Sequence, residues 1–285
     1  MQREAIGVFD SGVGGLTVAR AVLARLPEER LIYLGDTARV PYGMRSQHTV
    51  LRYSRNAARF LLKQSVKLVL IACNTASAAA LDVLQAELPV GVLGAVDPGA
   101  DAAVRATQSG VVGVIGTLAT VRSGAYERAL RLRRPELRVA TLACPLLVPL
   151  VEEGWTTAED PVSEMVVRRY LRELAAKAPE LDTLVLGCTH YPLLAEVIAR
   201  VASELWPHPV ALVDSAHAMA EATAALLAKQ GLLAGSSGSG DVGGDGAVRL
   251  LSQRLTCYVT DEARVAEVGS RFLGDSLEDV QLVDL

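Results

Sequence analysis

The chain has 285 residues, 28 Lys and Arg against 32 Asp and Glu for a formal net charge of −4, and is 51% hydrophobic but only 4% aromatic. A negative field repels a phosphate backbone and argues against a nucleic-acid partner, and no apolar run is long enough to span a membrane. The length suits two compact halves, and the Ala-, Val- and Leu-rich composition suits helices packed on buried parallel strands.

Met1-Gln2-Arg3-Glu4-Ala5 passes directly into a strand-like run at 6–9 with no secretory apolar region, so a cytoplasmic location is expected. Short β-branched or Leu-rich runs then alternate with helical patterns, predicting strands at 6–9, 31–34, 68–71, 90–93, 111–115, 139–142, 183–186 and 210–213. Helices are predicted at 46–64, 76–87, 161–176 and 216–228. The alternation marks βαβ units and an α/β fold on mostly parallel sheets. The Gly- and Ser-rich stretch 235–246 has almost nothing to bury and is expected to be a mobile surface loop without chemistry. Beyond it, a strand at 250–259, a helix at 261–272 and a strand at 280–283 complete the chain.

Four cysteines in a chain of this length do not form a disulfide framework, so each is read separately. Leu68-Val69-Leu70-Ile71-Ala72-Cys73-Asn74-Thr75 and Thr183-Leu184-Val185-Leu186-Gly187-Cys188-Thr189-His190 look like two copies: apolar strand, small residue, cysteine, then polar residues opening a helix. In open α/β sheets ligands bind at the carboxyl ends of strands, where both cysteines fall. A thiol at a helix N-terminus meets the conditions for a lowered pKa and a usable base. Two such thiols on opposite faces of a carbon can invert it, one removing a proton while the other delivers one. Singly, either would read as a buried core cysteine; the duplication favours chemistry. Cys144 and Cys257 lack that setting and read as packing residues. Cys188-Thr189-His190 has no second cysteine at ligand spacing, and His48, His208 and His217 are scattered, so no metal is expected.

The first strand ends in Asp10-Ser11-Gly12-Val13-Gly14-Gly15-Leu16, a glycine turn that lets backbone approach an anion but lacks the G-x-G-x-x-G spacing of a dinucleotide site. Asp10 is placed to accept an ammonium group or assist a thiol, or simply to cap a helix. Pro41-Tyr42-Gly43 offers backbone donors and a hydroxyl suited to a carboxylate, or forms a plain turn. Asn74, Thr75, Thr189 and His190 supply polar groups where a zwitterion would lie, and His190 is placed to set the proton state of Cys188.

At these segments the sequence resembles the bacterial glutamate racemases of the aspartate/glutamate racemase superfamily. The resembling stretches include Gly7-Val8-Phe9-Asp10-Ser11-Gly12, Gly35-Asp36-Thr37-Ala38-Arg39-Val40-Pro41-Tyr42-Gly43, Ala72-Cys73-Asn74-Thr75, Gly113-Val114-Ile115-Gly116-Thr117, Val148-Pro149-Leu150-Val151-Glu152-Glu153-Gly154 and Gly187-Cys188-Thr189-His190-Tyr191-Pro192. The resemblance implies two similar α/β domains related by a pseudo-two-fold axis, the site lying in the cleft between them. The first domain spans 1–97 with 210–285, and the second, 98–209, is an insertion. It also implies that Cys73 and Cys188 are the proton donors and acceptors. Asp10, Ser11, Tyr42, Gly43, Asn74, Thr75, Thr189 and His190 become the substrate-binding set, with Pro41, Thr117 and Glu152 as further candidates. The implied reaction interconverts L- and D-glutamate with no cofactor and feeds D-glutamate into peptidoglycan synthesis. Lys63, Lys67, Lys177 and Lys229, the only lysines, stand away from the cysteine-bearing strand ends, where a Schiff-base lysine would be needed. The expected partner is a small molecule, with a homodimer as the one assembly envisaged. Racemisation of aspartate or another amino acid, and a non-catalytic small-anion binding protein, remain the alternatives.

Overall fold

The computed structural model describes residues 4–234, 254–277 and 279–285. The Gly- and Ser-rich stretch 235–246 and residues 250–253 of the strand expected at 250–259 lie outside the described residues. Two sheets form, and every strand pairing among the described residues is parallel. The first contains β1 (Ala5–Asp10), β2 (Leu31–Gly35), β3 (Val66–Ile71), β4 (Gly91–Gly94), β9 (Leu255–Val259) and β10 (Val280–Leu282), in the order β10-β9-β2-β1-β3-β4. The second contains β5 (Val111–Gly116), β6 (Arg138–Ala143), β7 (Thr183–Gly187) and β8 (Ala211–Asp214), in the order β6-β5-β7-β8. Strands β1, β2, β5 and β7 are buried along their whole length, as apolar runs covered by helices on both faces must be.

The spatial order β2-β1-β3-β4 is repeated as β6-β5-β7-β8. In each half the chain leaves the first strand toward one side and the third toward the other, so a crevice opens at the carboxyl ends between them. Cys73 follows β3 and Cys188 follows β7, equivalent places in the two halves. The internal copies seen in the sequence are therefore copies of topology as well.

The strand expected at 210–213 forms as β8, but it pairs with β7. A division at 209/210 assigned it to the first domain; its pairing puts it in the second sheet, and the boundary moves past Asp214. An apolar run identifies a strand but not the neighbour it will choose. Asp214 then caps α10 (Ser215–Gln230), its carboxylate accepting the Ala216 N–H, and Gly231 ends that helix at φ +68°. Helix α10 lies along α1 (Leu16–Arg25) of the first half and also packs on α4 (Val96–Ala106) of the second, closing the two sheets into one body.

The remaining helices among the described residues are α2 (Gln47–Lys63), α3 (Asn74–Glu87), α5 (Leu118–Ser123), α6 (Ala125–Arg133), α7 (Leu147–Glu152), α8 (Pro161–Lys177), α9 (Ala195–Leu205) and α11 (Val265–Leu273). Several starts are fixed locally. Asp160 accepts the N–H groups of Val162 and Ser163 ahead of α8, with Pro161 at its first position, and the Thr117 hydroxyl accepts the Thr120 N–H ahead of α5. Helix α11 begins later than the expected 261 because Arg264 sits in the left-handed region at φ +57°, which breaks the helical run. No helix among the described residues is long and apolar enough to cross a membrane.

Candidate active site

A cavity of about 300 Å³ opens where the carboxyl ends of the two sheets meet, within the range of small-molecule clefts. From the first half, Ser11, Pro41, Tyr42, Gly43, Cys73, Asn74 and Thr75 line it; from the second, Thr117, Glu152, Cys188, Thr189 and His190 do. The one expected residue that does not reach the wall is Asp10. Its side chain is buried behind Ser11, Oδ2 accepting the Gly12 N–H at 3.0 Å while Oδ1 has no partner. Val40, Met44, Leu118, Pro145, Val148 and Pro149 add the apolar wall that the sequence did not single out.

Cys73 is itself the N-cap of α3, its Sγ accepting the Ala76 N–H at 3.4 Å and lying 3.5 Å from the Ser11 hydroxyl. The expectation of a lowered thiol pKa does not hold here. Burial, then the Asp10 carboxylate, push Cys73 up to about 12, outweighing the Ser11 and Ala76 contacts. A single long N–H···S contact is a weak counterweight to the loss of water around a thiolate. Asp10 is also raised by burial, with His190 and neighbouring N–H groups pulling it back.

The second thiol has a different neighbourhood. Cys188 Sγ lies 3.9 Å from Nδ1 of His190, and Nε2 of the same ring meets Oε1 of Glu152 at 3.1 Å. Burial opposes a charge on His190, but the hydrogen bonds to Cys188 and Glu152 prevail and lift it to about 10. The imidazolium thus stands between a sulfur and a carboxylate. The glycine turn after β1 serves this arm. A Cβ on Gly14 would come within 2.4 Å of Thr189 Oγ1 and 2.6 Å of His190 Nδ1, so only glycine lets the Cys188 loop seat this close.

The Tyr42 hydroxyl, expected to face a carboxylate, instead donates to Oδ2 of Asp36, which leaves the loop's peptide groups for a ligand. Burial, together with the Asp36 charge, raises Tyr42 far above its ordinary value. Thr75 closes a three-hydroxyl cluster with Thr117 and Thr120 across the two halves, with Oγ1 separations of 2.8 to 3.0 Å. Asn74 is held from both sides: Oδ1 accepts the Tyr126 hydroxyl of α6 at 2.6 Å, and Nδ2 reaches the Ser215 hydroxyl at 3.4 Å. Asn74 is thus fixed between the halves where it lines the cavity. Tyr126 and Asp36 were missed in the sequence because both act through a neighbour. Cys144 and Cys257 are buried away from the cavity wall, and among the described residues no His, Cys, Asp or Glu cluster is arranged to hold a metal ion.

These proton affinities set an alkaline limit on stability. Folding raises His190 from 6.5 to about 10, and Cys73 and Cys257 from 9.0 to about 12, so each favours the folded state while protonated. The His190 contribution is complete below pH 6.5 and lost as pH rises to about 10; the thiol contributions are lost between pH 9.0 and about 12. Urea midpoints should fall progressively across the alkaline range, first with His190 and then with the thiols. In His190→Gln the slope below pH ~10 should flatten while the steeper loss above it persists; an unchanged slope would show that His190 does not carry this term.

Parallel sheets repeated in order, with a thiol at the same strand end of each, define the class of protein. The chain belongs to the Asp/Glu/Hydantoin racemase family, which matches residues 16–223. Within it, the chain is similar to the glutamate racemase of Geobacter metallireducens, with 48% identity over 286 residues, covering 100% of this chain and 98% of that protein. The crystal structure of glutamate racemase from Francisella tularensis in complex with D-glutamate matches with a TM-score of 0.85 and 32% identity, covering 100% of this chain and 98% of that one. The Thermus thermophilus glutamate racemase in complex with beta-chloro-D-alanine matches with a TM-score of 0.82 and 43% identity, covering 99% and 98%.

Proposed function

We propose that this chain interconverts L- and D-glutamate without a cofactor, Cys73 and Cys188 exchanging the roles of base and acid on opposite faces of Cα. The observation that carries the reading is the pair of thiols at equivalent strand ends on one cavity, in unlike electrostatic settings. The names of the relatives direct the substrate to glutamate, and the resemblance directs the product to peptidoglycan synthesis.

A two-base inversion needs one sulfur deprotonated while the other keeps its proton. Burial and Asp10 keep Cys73 as the thiol, and the His190 imidazolium gives a thiolate at Cys188 its counter-charge. In the first direction the Cα–H bond breaks as its proton passes to the Cys188 thiolate. The carbanion then takes the Cys73 proton on the opposite face, leaving a Cys73 thiolate and a Cys188 thiol. That product state is the starting state for the other enantiomer. Because an α-proton beside a carboxylate is a very weak acid, fixed donors must hold the developing charge, and Asn74, Thr75 and Thr189 line the cavity for that task.

The test is a circular-dichroism assay of the purified protein on both enantiomers of glutamate, aspartate and alanine. Racemisation of glutamate well above the others is expected; no turnover of any of them, with binding retained, would favour the small-anion binding protein. A second measurement tests how Asn74 is presented. Tyr126→Phe leaves the buried Asn74 oxygen without its donor, a loss of about 1–3 kcal/mol, and frees the amide to turn. KM for glutamate should rise about tenfold, with a smaller fall in kcat. An unaltered KM would mean that Asn74 binds substrate without this orientation.

A further inference from the structure

We infer that Arg271, reaching across the cleft from α11, is a positioning residue for the Glu152–His190 pair: by fastening the end of α7 it keeps the Glu152 carboxylate on the imidazole that faces Cys188. The inference builds on the proposed racemase chemistry for its kinetic readout but not for its spectroscopic one.

Glu152 is the last residue of α7, a short helix of the second half; the N–H groups of Glu153, Trp155 and Gly154 turn back onto the carbonyls of Pro149, Leu150 and Val151, while the Glu152 carbonyl takes its donor from Arg271. Arg271 lies on α11, which follows β9 of the first half. Its Nη1 donates to the Glu152 carbonyl oxygen at 2.6 Å, and its Nη2 is fixed by Glu267 Oε1 at 2.7 Å, one turn back on the same helix. A cation at that carbonyl suits the negative end of α7. The turn beyond is made for it: Gly154 stands at φ +78°, and a Cβ there would meet the Arg271 guanidinium carbon at 3.0 Å. The next residue, Phe272, sets its ring edge-on to His190 with centroids 4.8 Å apart. Adjacent residues of one helix therefore hold both members of the pair. A second strap, Arg264 to Glu153 at 2.8 Å, is half-exposed on both sides and contributes little.

His190 is faced by Cys188 and Asp10 from the strand ends, by Glu152 from α7 and by the uncharged Phe272 from α11, with the Arg271 charge beyond Glu152. Of these, Glu152 is the half-exposed member, with a side chain 41% accessible, and the one whose backbone Arg271 anchors. Letting it drift weakens the hydrogen bond that keeps the imidazole charged.

The experiment follows the His190 ring by NMR in histidine-labelled protein, assigned with His190→Gln, alongside the pH profile of kcat. In Arg271→Ala the His190 titration midpoint should move down by about one pH unit, and the alkaline limb of kcat should move with it. Arg271→Lys, which can still donate to the Glu152 carbonyl, should restore most of the shift, and Arg264→Ala should leave both readouts in place. A His190 midpoint in Arg271→Ala equal to that of the parent protein would overturn the inference, whatever happens to the melting temperature. Failure of the racemase reading would show separately, as a parent protein that leaves both enantiomers unchanged, and the NMR titration decides the inference in that case too.

Discussion

Replacing Cys73 or Cys188 by Ser should each lower racemisation of glutamate by roughly 10³-fold or more, in both directions alike. Enantiomers have equal free energies, so the equilibrium constant is unity and kcat/KM must be the same in the two directions for every variant. Steady-state rates therefore cannot tell which sulfur serves which enantiomer. Isotope exchange can. In deuterated water the parent protein should place deuterium at Cα of both enantiomers. A variant keeping only the Cys188 thiolate should wash deuterium into only the enantiomer whose Cα–H faces that sulfur, without inverting it. The variant keeping only Cys73 should act on the opposite enantiomer, and more slowly at neutral pH, because burial and Asp10 hold its proton. Exchange into the same enantiomer in both variants, or inversion near the parent rate in either, would sink the two-thiol scheme.

How much of this was legible in the sequence depended on the distance over which each fact is decided. Strands such as Ala5–Asp10 and Thr183–Gly187 announce themselves because a strand covered on both faces must be apolar throughout. Cys73 and Cys188 were legible because a strand end, a small residue and a helix start are local, and because the chain writes that pattern twice. What was not legible is decided by partners from other elements. The proton affinity of Cys73 was misjudged because the helix start is visible in the sequence, whereas its burial and the Asp10 charge across β1 and β3 are not. The Tyr42 hydroxyl reads locally as a ligand group, whereas the fold commits it to Asp36. Tyr126 on Asn74 and Arg271 on the Glu152 carbonyl cross between halves, and no local motif marks them. β8 was found as a strand but placed in the wrong half for the same reason: pairing is a tertiary choice.

His190→Gln should have the next largest effect, lowering kcat by about 10²-fold and removing the alkaline limb near pH 10. Glutamine offers a hydrogen-bond donor of similar reach, so a modest loss would be expected if His190 served only to fill space or orient Thr189. The charge is the difference. A thiolate at Cys188 in this buried setting needs a compensating cation, and His190 is the cationic group in contact with its sulfur at 3.9 Å. Glu152→Gln separates the two parts of the argument, because it keeps a polar group beside Nε2 but removes the negative charge that helps hold the proton. Its alkaline limb should persist but fall below that of the parent, with kcat near neutral pH reduced less than in His190→Gln. If His190→Gln retained the limb unchanged, the titrating group would lie elsewhere in the cleft, and Cys73, held up to about 12 by burial and Asp10, would be the next group to test.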